Sequence, residues 1–171
     1  MILTLAGFMG CGKSTVGELL SRELSCRFVD LDSYLEHKVA CTCAQYIDAY
    51  GIERFRAMEA DALRDLFMMC GLTDESIVVA LGGGTPAIFG VQHLIFGESL
   101  CVYLRTEARN LQKRIEADST ARPLYDPESM QELLCERAPV YERAHITVDT
   151  DGKTPQEVTN EIINELNKWK A

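Results

Sequence analysis

The segment from Gly7 to Thr15 limits the possible folds more than any other part of this 171-residue sequence. It matches the pattern GxxxxGK[ST], follows an apolar, strand-like segment at residues 2–6 and precedes a helical pattern, as that pattern requires. Its glycines permit tight backbone turns, so that successive N–H groups and the amino end of the next helix can surround phosphate oxygens. We therefore predict a nucleotide-binding loop in which Lys13 reaches the β- and γ-phosphates and Ser14 ligates Mg²⁺.

Short apolar segments alternate with amphipathic helical patterns along the rest of the chain. The strand-like segments are residues 2–6, 27–30, 77–81, 100–104 and 146–149, and the helical patterns are residues 14–24, 55–67, 107–116, 128–143 and 155–169. This alternation predicts a single α/β domain with a parallel sheet covered by helices on both faces. Residues 32–70, which contain no strand pattern, and the polar, proline-bearing residues 117–127 predict a substrate-binding region and a lid.

The overall charge restricts the partners that this protein can have. The formal charge is −9 and the pI is near 4.8, so a nucleic acid would be repelled on average. An anionic substrate would need arginines gathered locally around it. The odd number of cysteines, seven, and an amino terminus without signal-peptide features indicate a cytoplasmic protein with reduced thiols. No apolar run approaches the roughly 20 residues that cross a bilayer, so no membrane partner is expected.

Two acidic residues follow the second predicted strand. Asp30 and Asp32 lie at its carboxyl end, where ligands bind in open parallel sheets, and continued extended geometry would point both carboxylates the same way. The third strand ends in Gly82–Gly84 rather than in an aspartate, so support for magnesium is expected from Asp30 or Asp32. The alternative is that Asp32 and Ser33 only cap the next helix.

Six motifs occur in an order that resembles shikimate kinase over essentially the whole chain. They are GFMGCGKST, DLD, GIERFR, LGGGT, ARPL and ERAPVY, which begin at residues 7, 30, 51, 81, 121 and 136. The resemblance implies transfer of a phosphoryl group from ATP to the 3-hydroxyl of shikimate, in the biosynthesis of chorismate and the aromatic amino acids. It also implies a monomer with the three-layer fold of P-loop NTPases: a five-stranded parallel sheet, a helical substrate-binding insertion and a lid.

The same resemblance implies roles for individual residues. Asp30 falls on the magnesium-side aspartate together with Ser14, and Asp32 on the residue that holds the acceptor hydroxyls. The residues that fall on the shikimate site are Asp32, Arg56, Glu59, Gly82, Gly83, Gly84 and Arg137, with the two arginines gripping the carboxylate. The residues that fall on the ATP site are Gly10, Cys11, Gly12, Lys13, Ser14, Thr15, Arg114, Arg122 and Lys153. Catalysis is expected to depend on Lys13, Asp32 and Arg122, the last as a lid arginine on the phosphates.

Arginine supports these assignments independently, since its guanidinium binds a carboxylate through two parallel hydrogen bonds. One position departs from the family pattern, because Ile52 occupies the place of a usual glutamate and Glu53 follows it. The rival interpretations are a gluconate kinase, an adenylate-kinase-like or other small-molecule P-loop kinase, and a nucleotide-binding module that switches a partner without catalysis. The first two require other arginine placements, and the third has no use for an acceptor pocket or a lid.

Overall fold

A five-stranded sheet forms the centre of the protein in a computed structural model that describes residues 1–117 and 129–169. Its strands are β1 (Ile2–Ala6), β2 (Arg27–Asp30), β3 (Ile77–Ala80), β4 (Leu100–Arg105) and β5 (Ile146–Asp149). All neighbouring strands are parallel, in the order β2-β3-β1-β4-β5. The predicted parallel α/β fold and its five strands are confirmed.

The described helices are α1 (Lys13–Glu23), α2 (Leu31–Val39), α3 (Cys43–Tyr50), α4 (Ile52–Thr73), α5 (Ala108–Ala117), α6 (Met130–Tyr141) and α7 (Pro155–Trp169). They cover both faces of the sheet, because nearly every residue of β1, β3 and β4 is buried although alternate side chains point to opposite faces. The edge strands β2 and β5 are only partly buried. Among the described residues, no helix has the length and apolar character needed to span a membrane.

The predicted helical region at residues 32–70 consists of three helices, of which only the last was recognised as a separate pattern. Helix α2 begins at Leu31, directly after β2, with Asp30 as its N-cap residue. Helix α3 has a capping box, in which Thr42 and Gln45 each bond the other's backbone N–H. Helix α4 is longer than predicted and extends from Ile52 to Thr73. The predicted lid, with Arg122, lies outside the described residues apart from Ala117, the last residue of α5.

Candidate active site

The phosphate loop connects β1 to α1 through backbone that requires glycine. Gly10 has a φ of 81° and Gly12 one of 99°, both in the left-handed region. A Cβ atom at Gly7 would lie 2.8 Å from both the Sγ of Cys11 and the carbonyl oxygen of Leu104. Because Gly12 is the N-cap residue of α1 and has no side chain, the first N–H groups of the helix face the loop without a capping group.

Lys13 lies across this loop. Its Nζ donates to the carbonyl oxygens of Gly7 at 3.0 Å and Phe8 at 3.1 Å, and the side chain is half-buried. The ammonium group is therefore held at the mouth of the loop, on the side where the carboxyl ends of the strands meet. This is the position from which a lysine can contact phosphates that the loop amides surround.

A cavity of about 510 Å³ opens in front of the loop. Its lining residues are Gly10, Cys11, Gly12, Lys13, Ser14, Thr15, Val16, Arg114, Thr150, Lys153, Pro155 and Val158. Every residue predicted for the ATP site lines this cavity except Arg122, which lies outside the described residues. The structure thus brings Arg114 and Lys153, which are distant from the phosphate loop in sequence, to the same cavity.

Three hydrogen bonds orient these basic residues. The guanidinium of Arg114 donates to the hydroxyl and the carbonyl oxygen of Thr150, each at 3.5 Å, and Lys153 donates to Glu161 in α7. Thr150 and Val158 were not predicted as site residues, because a threonine after a strand and a valine in a helix carry no separate signal in a single sequence.

Ser14 and Asp30 meet beside the loop. The Ser14 hydroxyl donates to Oδ2 of Asp30 at 2.5 Å, and Oδ1 of Asp30 accepts from the backbone N–H of Ser33 at 3.1 Å. Hydroxyl and carboxylate oxygens are the ligands that Mg²⁺ prefers, so this pair fits the predicted metal site.

The predicted extended geometry, which would point the carboxylates of Asp30 and Asp32 the same way, is wrong. Extended geometry ends at Asp30, which is the residue that caps α2, and Asp32 lies in the first turn of that helix. The helical turn, and not the period of a strand, places Oδ1 of Asp32 close to Gly82, which follows β3. The alternative in which Asp32 supplies the helix cap is also wrong, since Asp30 accepts the capping hydrogen bond.

Three side-chain oxygens converge on Gly82 at the end of β3. A Cβ atom at this position would lie 2.7 Å from Oε1 of Glu59, 2.9 Å from Oδ1 of Asp32 and 2.9 Å from Oγ1 of Thr85. Only glycine leaves room for this cluster. Asp32 is exposed to solvent on one side, yet desolvation of its carboxyl by the surrounding protein, and next the negative charges of Glu59 and Asp30, raise its pKa to about 6, against the opposing effect of Lys13 and Arg56.

Two guanidinium groups flank the next two glycines. Arg56 of α4 forms an ion pair with the fully buried Glu59, and a Cβ atom at Gly84 would overlap its guanidinium. Arg137 of α6 is buried, and its Nη1 lies 3.4 Å from the position of a Cβ atom at Gly83. The two cationic groups therefore face the same short stretch of backbone and form a site for an anion.

Further contacts hold Arg137 and the glycine backbone. The guanidinium carbon of Arg137 lies 5.7 Å from the centre of the Phe8 ring, which belongs to the phosphate loop. One turn later in α6, the Tyr141 hydroxyl donates to the carbonyl oxygen of Gly83. Tyr141 and Thr85 belong to the quoted motifs but were not predicted as site residues, because neither is charged and their contacts depend on the tertiary fold.

This combination of fold and site belongs to the class of P-loop kinases that phosphorylate small molecules. The family model "Shikimate kinase" matches residues 9–167. A shikimate kinase from Thermus thermophilus is 38% identical over 172 residues, which cover 98% of this chain and 90% of that protein. Shikimate kinase from Geobacter sulfurreducens is 35% identical over 94% of this chain and 87% of that protein.

Solved structures agree with the sequence comparison. Shikimate kinase from Acinetobacter baumannii in complex with shikimate superposes with a TM-score of 0.88 at 27% identity, over 99% of this chain and 94% of that one. The chain belongs to the shikimate kinase family, and the resemblance inferred from the sequence motifs is confirmed.

Proposed function

We propose that this protein transfers the γ-phosphoryl group of ATP to the 3-hydroxyl of shikimate, giving shikimate 3-phosphate and ADP. The observation that carries the proposal is the pair of guanidinium groups, Arg56 and Arg137, on either side of the Gly83–Gly84 backbone. Family membership supports it, and the relative from Acinetobacter baumannii is described as a complex with shikimate. The reaction is a step in the biosynthesis of chorismate and the aromatic amino acids.

The acceptor binds through its carboxylate. A protein of charge −9 repels small anions on average, so local positive charge must hold the substrate. Arg56 and Arg137 provide this positive charge, and the ion pair with Glu59 restrains Arg56. The three glycines allow the acceptor ring to approach the backbone closely, because no Cβ atom lies in the way.

Asp32 orients the acceptor hydroxyl and accepts its proton as the new O–P bond forms and ADP leaves. A carboxylate with a pKa of about 6 is a better proton acceptor near neutral pH than one with an ordinary pKa. Lys13 and the loop amides stabilise the charge that develops on the transferred group. The oxygens of Ser14 and Asp30 would hold Mg²⁺, directly or through water, and the ion would neutralise charge on the β- and γ-phosphates.

The remaining assignments are part of the same proposal. The lid at residues 117–127, with Arg122 as its arginine for the ATP phosphates, is carried over from the family resemblance and lies outside the described residues apart from Ala117. Residues 32–70 form the substrate-binding region of a single domain. Arg114, Lys153 and the loop residues from Gly10 to Thr15 bind ATP. The protein works as a cytoplasmic monomer, without nucleic acid or membrane partners.

The test is a coupled assay of ADP release with shikimate, gluconate and AMP offered separately as acceptors. We expect turnover with shikimate alone, dependent on added Mg²⁺, and a product whose phosphate is on the 3-hydroxyl by NMR. Turnover with gluconate or AMP in preference to shikimate would refute the acceptor assignment, and nucleotide binding without turnover on any acceptor would refute the assignment as a kinase.

A further inference from the structure

Glu59 is a fully buried carboxylate whose two oxygens have different partners. Oε2 forms the ion pair with Arg56, and Oε1 accepts a hydrogen bond of 2.6 Å from the hydroxyl of Thr85, which is also fully buried. A buried ionised carboxylate is stable only when its oxygens are paired. Oδ1 of Asp32 and Oε1 of Glu59 both lie close to Gly82, and the two carboxylates repel each other.

We propose that Thr85 is a positioning residue of the acceptor pocket, whose hydroxyl holds Glu59 in place so that Glu59 can orient Arg56 towards the carboxylate of the substrate. This inference rests on the proposed function, because it assumes that Arg56 binds the acceptor. Thr85 is fully buried and its hydroxyl bonds Glu59, so its proposed effect passes through Glu59.

The backbone around Thr85 keeps its hydroxyl in that position. Thr85 begins a short 3₁₀ turn, Thr85–Ala87, and its N–H donates to the carbonyl oxygen of Gly82 at 3.0 Å. The turn therefore ties the hydroxyl to the glycine that Glu59 and Asp32 also approach. An aliphatic side chain of the same shape would fill the space but would remove the hydroxyl donor from Oε1 while a second carboxylate remained nearby.

Loss of the Thr85 hydroxyl should affect the KM for shikimate and not kcat. The carboxylate of the acceptor does not take part in the chemical step, so a weaker grip on it affects ground state and transition state alike. Loss of a hydrogen bond to a buried charge typically lowers the affinity that depends on it by about tenfold or more. We expect Thr85→Val to raise the KM for shikimate about tenfold, with kcat within about twofold of wild type and the KM for ATP unchanged.

The experiment compares wild type, Thr85→Val, Thr85→Ser and Thr4→Val. Thr85→Ser keeps the hydroxyl and should restore a near-normal KM for shikimate. Thr4→Val is the matched control, because Thr4 is fully buried in β1 and its hydroxyl pairs with Ser99 at 2.9 Å, away from the pocket residues. It should lower the melting temperature, as Thr85→Val does, while leaving both KM values unchanged.

An unchanged KM for shikimate in Thr85→Val would overturn the role of Thr85, as would a fall in kcat alone or an equal rise in the KM for ATP. A KM that Thr85→Ser fails to restore would overturn it too. These outcomes are distinct from failure of the proposed function, which would show as absence of shikimate turnover in the wild-type protein.

Discussion

Replacement of Asp32 by asparagine should stabilise the ligand-free protein while it impairs catalysis. Asp32 is exposed to solvent on one side, but its carboxyl lies near Glu59 and Asp30, and its pKa is raised from 3.8 to about 6. The folded protein therefore binds a proton more tightly at this site than the unfolded chain does. As the pH rises from about 4 to about 6, the folded state loses stability, because ionisation then costs more in the fold than in the unfolded chain.

The size of this effect follows from the shift. Each pKa unit corresponds to about 1.4 kcal/mol, so the full shift would amount to about 3 kcal/mol above about pH 6. Because Asp32 is exposed to solvent, screening reduces the destabilisation to roughly 1 kcal/mol, and asparagine, which has nearly the same shape and no charge, should recover about that amount. For a domain of this size, this corresponds to a rise in melting temperature of roughly 2 to 4 °C.

The assay is thermal unfolding in EDTA without nucleotide, from about pH 5 to about pH 8. The gain should be largest at high pH and should shrink towards pH 5, where Asp32 is largely protonated in the folded state. Asp149→Asn is a control in which the change in stability should have the opposite sign. The hydrogen bond from Arg105 lowers the pKa of Asp149, so loss of the Asp149 charge should reduce stability near neutral pH by no more than about 1 kcal/mol. A melting temperature for Asp32→Asn that is unchanged or lower at the alkaline end of this range would refute the electrostatic argument.

Three further predictions concern turnover and binding. Lys13→Ala should lower kcat by at least about 100-fold at an unchanged melting temperature, because the transferred group loses its nearest cation; near-normal turnover would contradict this. Arg56→Ala and Arg137→Ala should each weaken shikimate binding by roughly 2 to 5 kcal/mol in calorimetry and leave ATP binding intact, and unchanged shikimate affinity in both would defeat the carboxylate site. Arg122→Ala should reduce the single-turnover rate far more than shikimate affinity, and the reverse result would assign Arg122 to the acceptor pocket.

The fold was predictable because its signals are local. Each of the five strands is a short, mostly apolar run, and β1, β2 and β5 match the predicted bounds. Helices α2 and α3 were not separated in advance, since α2 starts at Leu31 without an intervening turn residue and α3 is only eight residues long. Their boundaries depend on caps, Asp30 for α2 and Thr42 for α3, that a single sequence does not distinguish from other polar residues.

The site was predictable where charge or glycine marks it. Lys13 and Asp30 were predicted from the phosphate loop and the end of the second strand, whereas Arg137 was predicted only from the family resemblance. Thr85 and Tyr141 do not stand out, because their hydroxyl groups find Glu59 and Gly83 across 26 and 58 residues of sequence. Such contacts are properties of the packed structure.

Three carboxylates lie close together in this pocket, and the way each is compensated explains what each can do. Asp30 bonds Ser14 and the amino end of α2, and Glu59 has Arg56 and Thr85 as partners. The pKa of Asp32 is raised, and desolvation and its acidic neighbours are the main causes. Asp30 and Glu59 are suited to holding a cation or orienting an arginine, whereas Asp32 is suited to taking up a proton near neutral pH. The raised pKa that suits Asp32 to accept a proton also makes its ionised form destabilising. Asp32→Asn should therefore remove both the destabilisation and the proton acceptor.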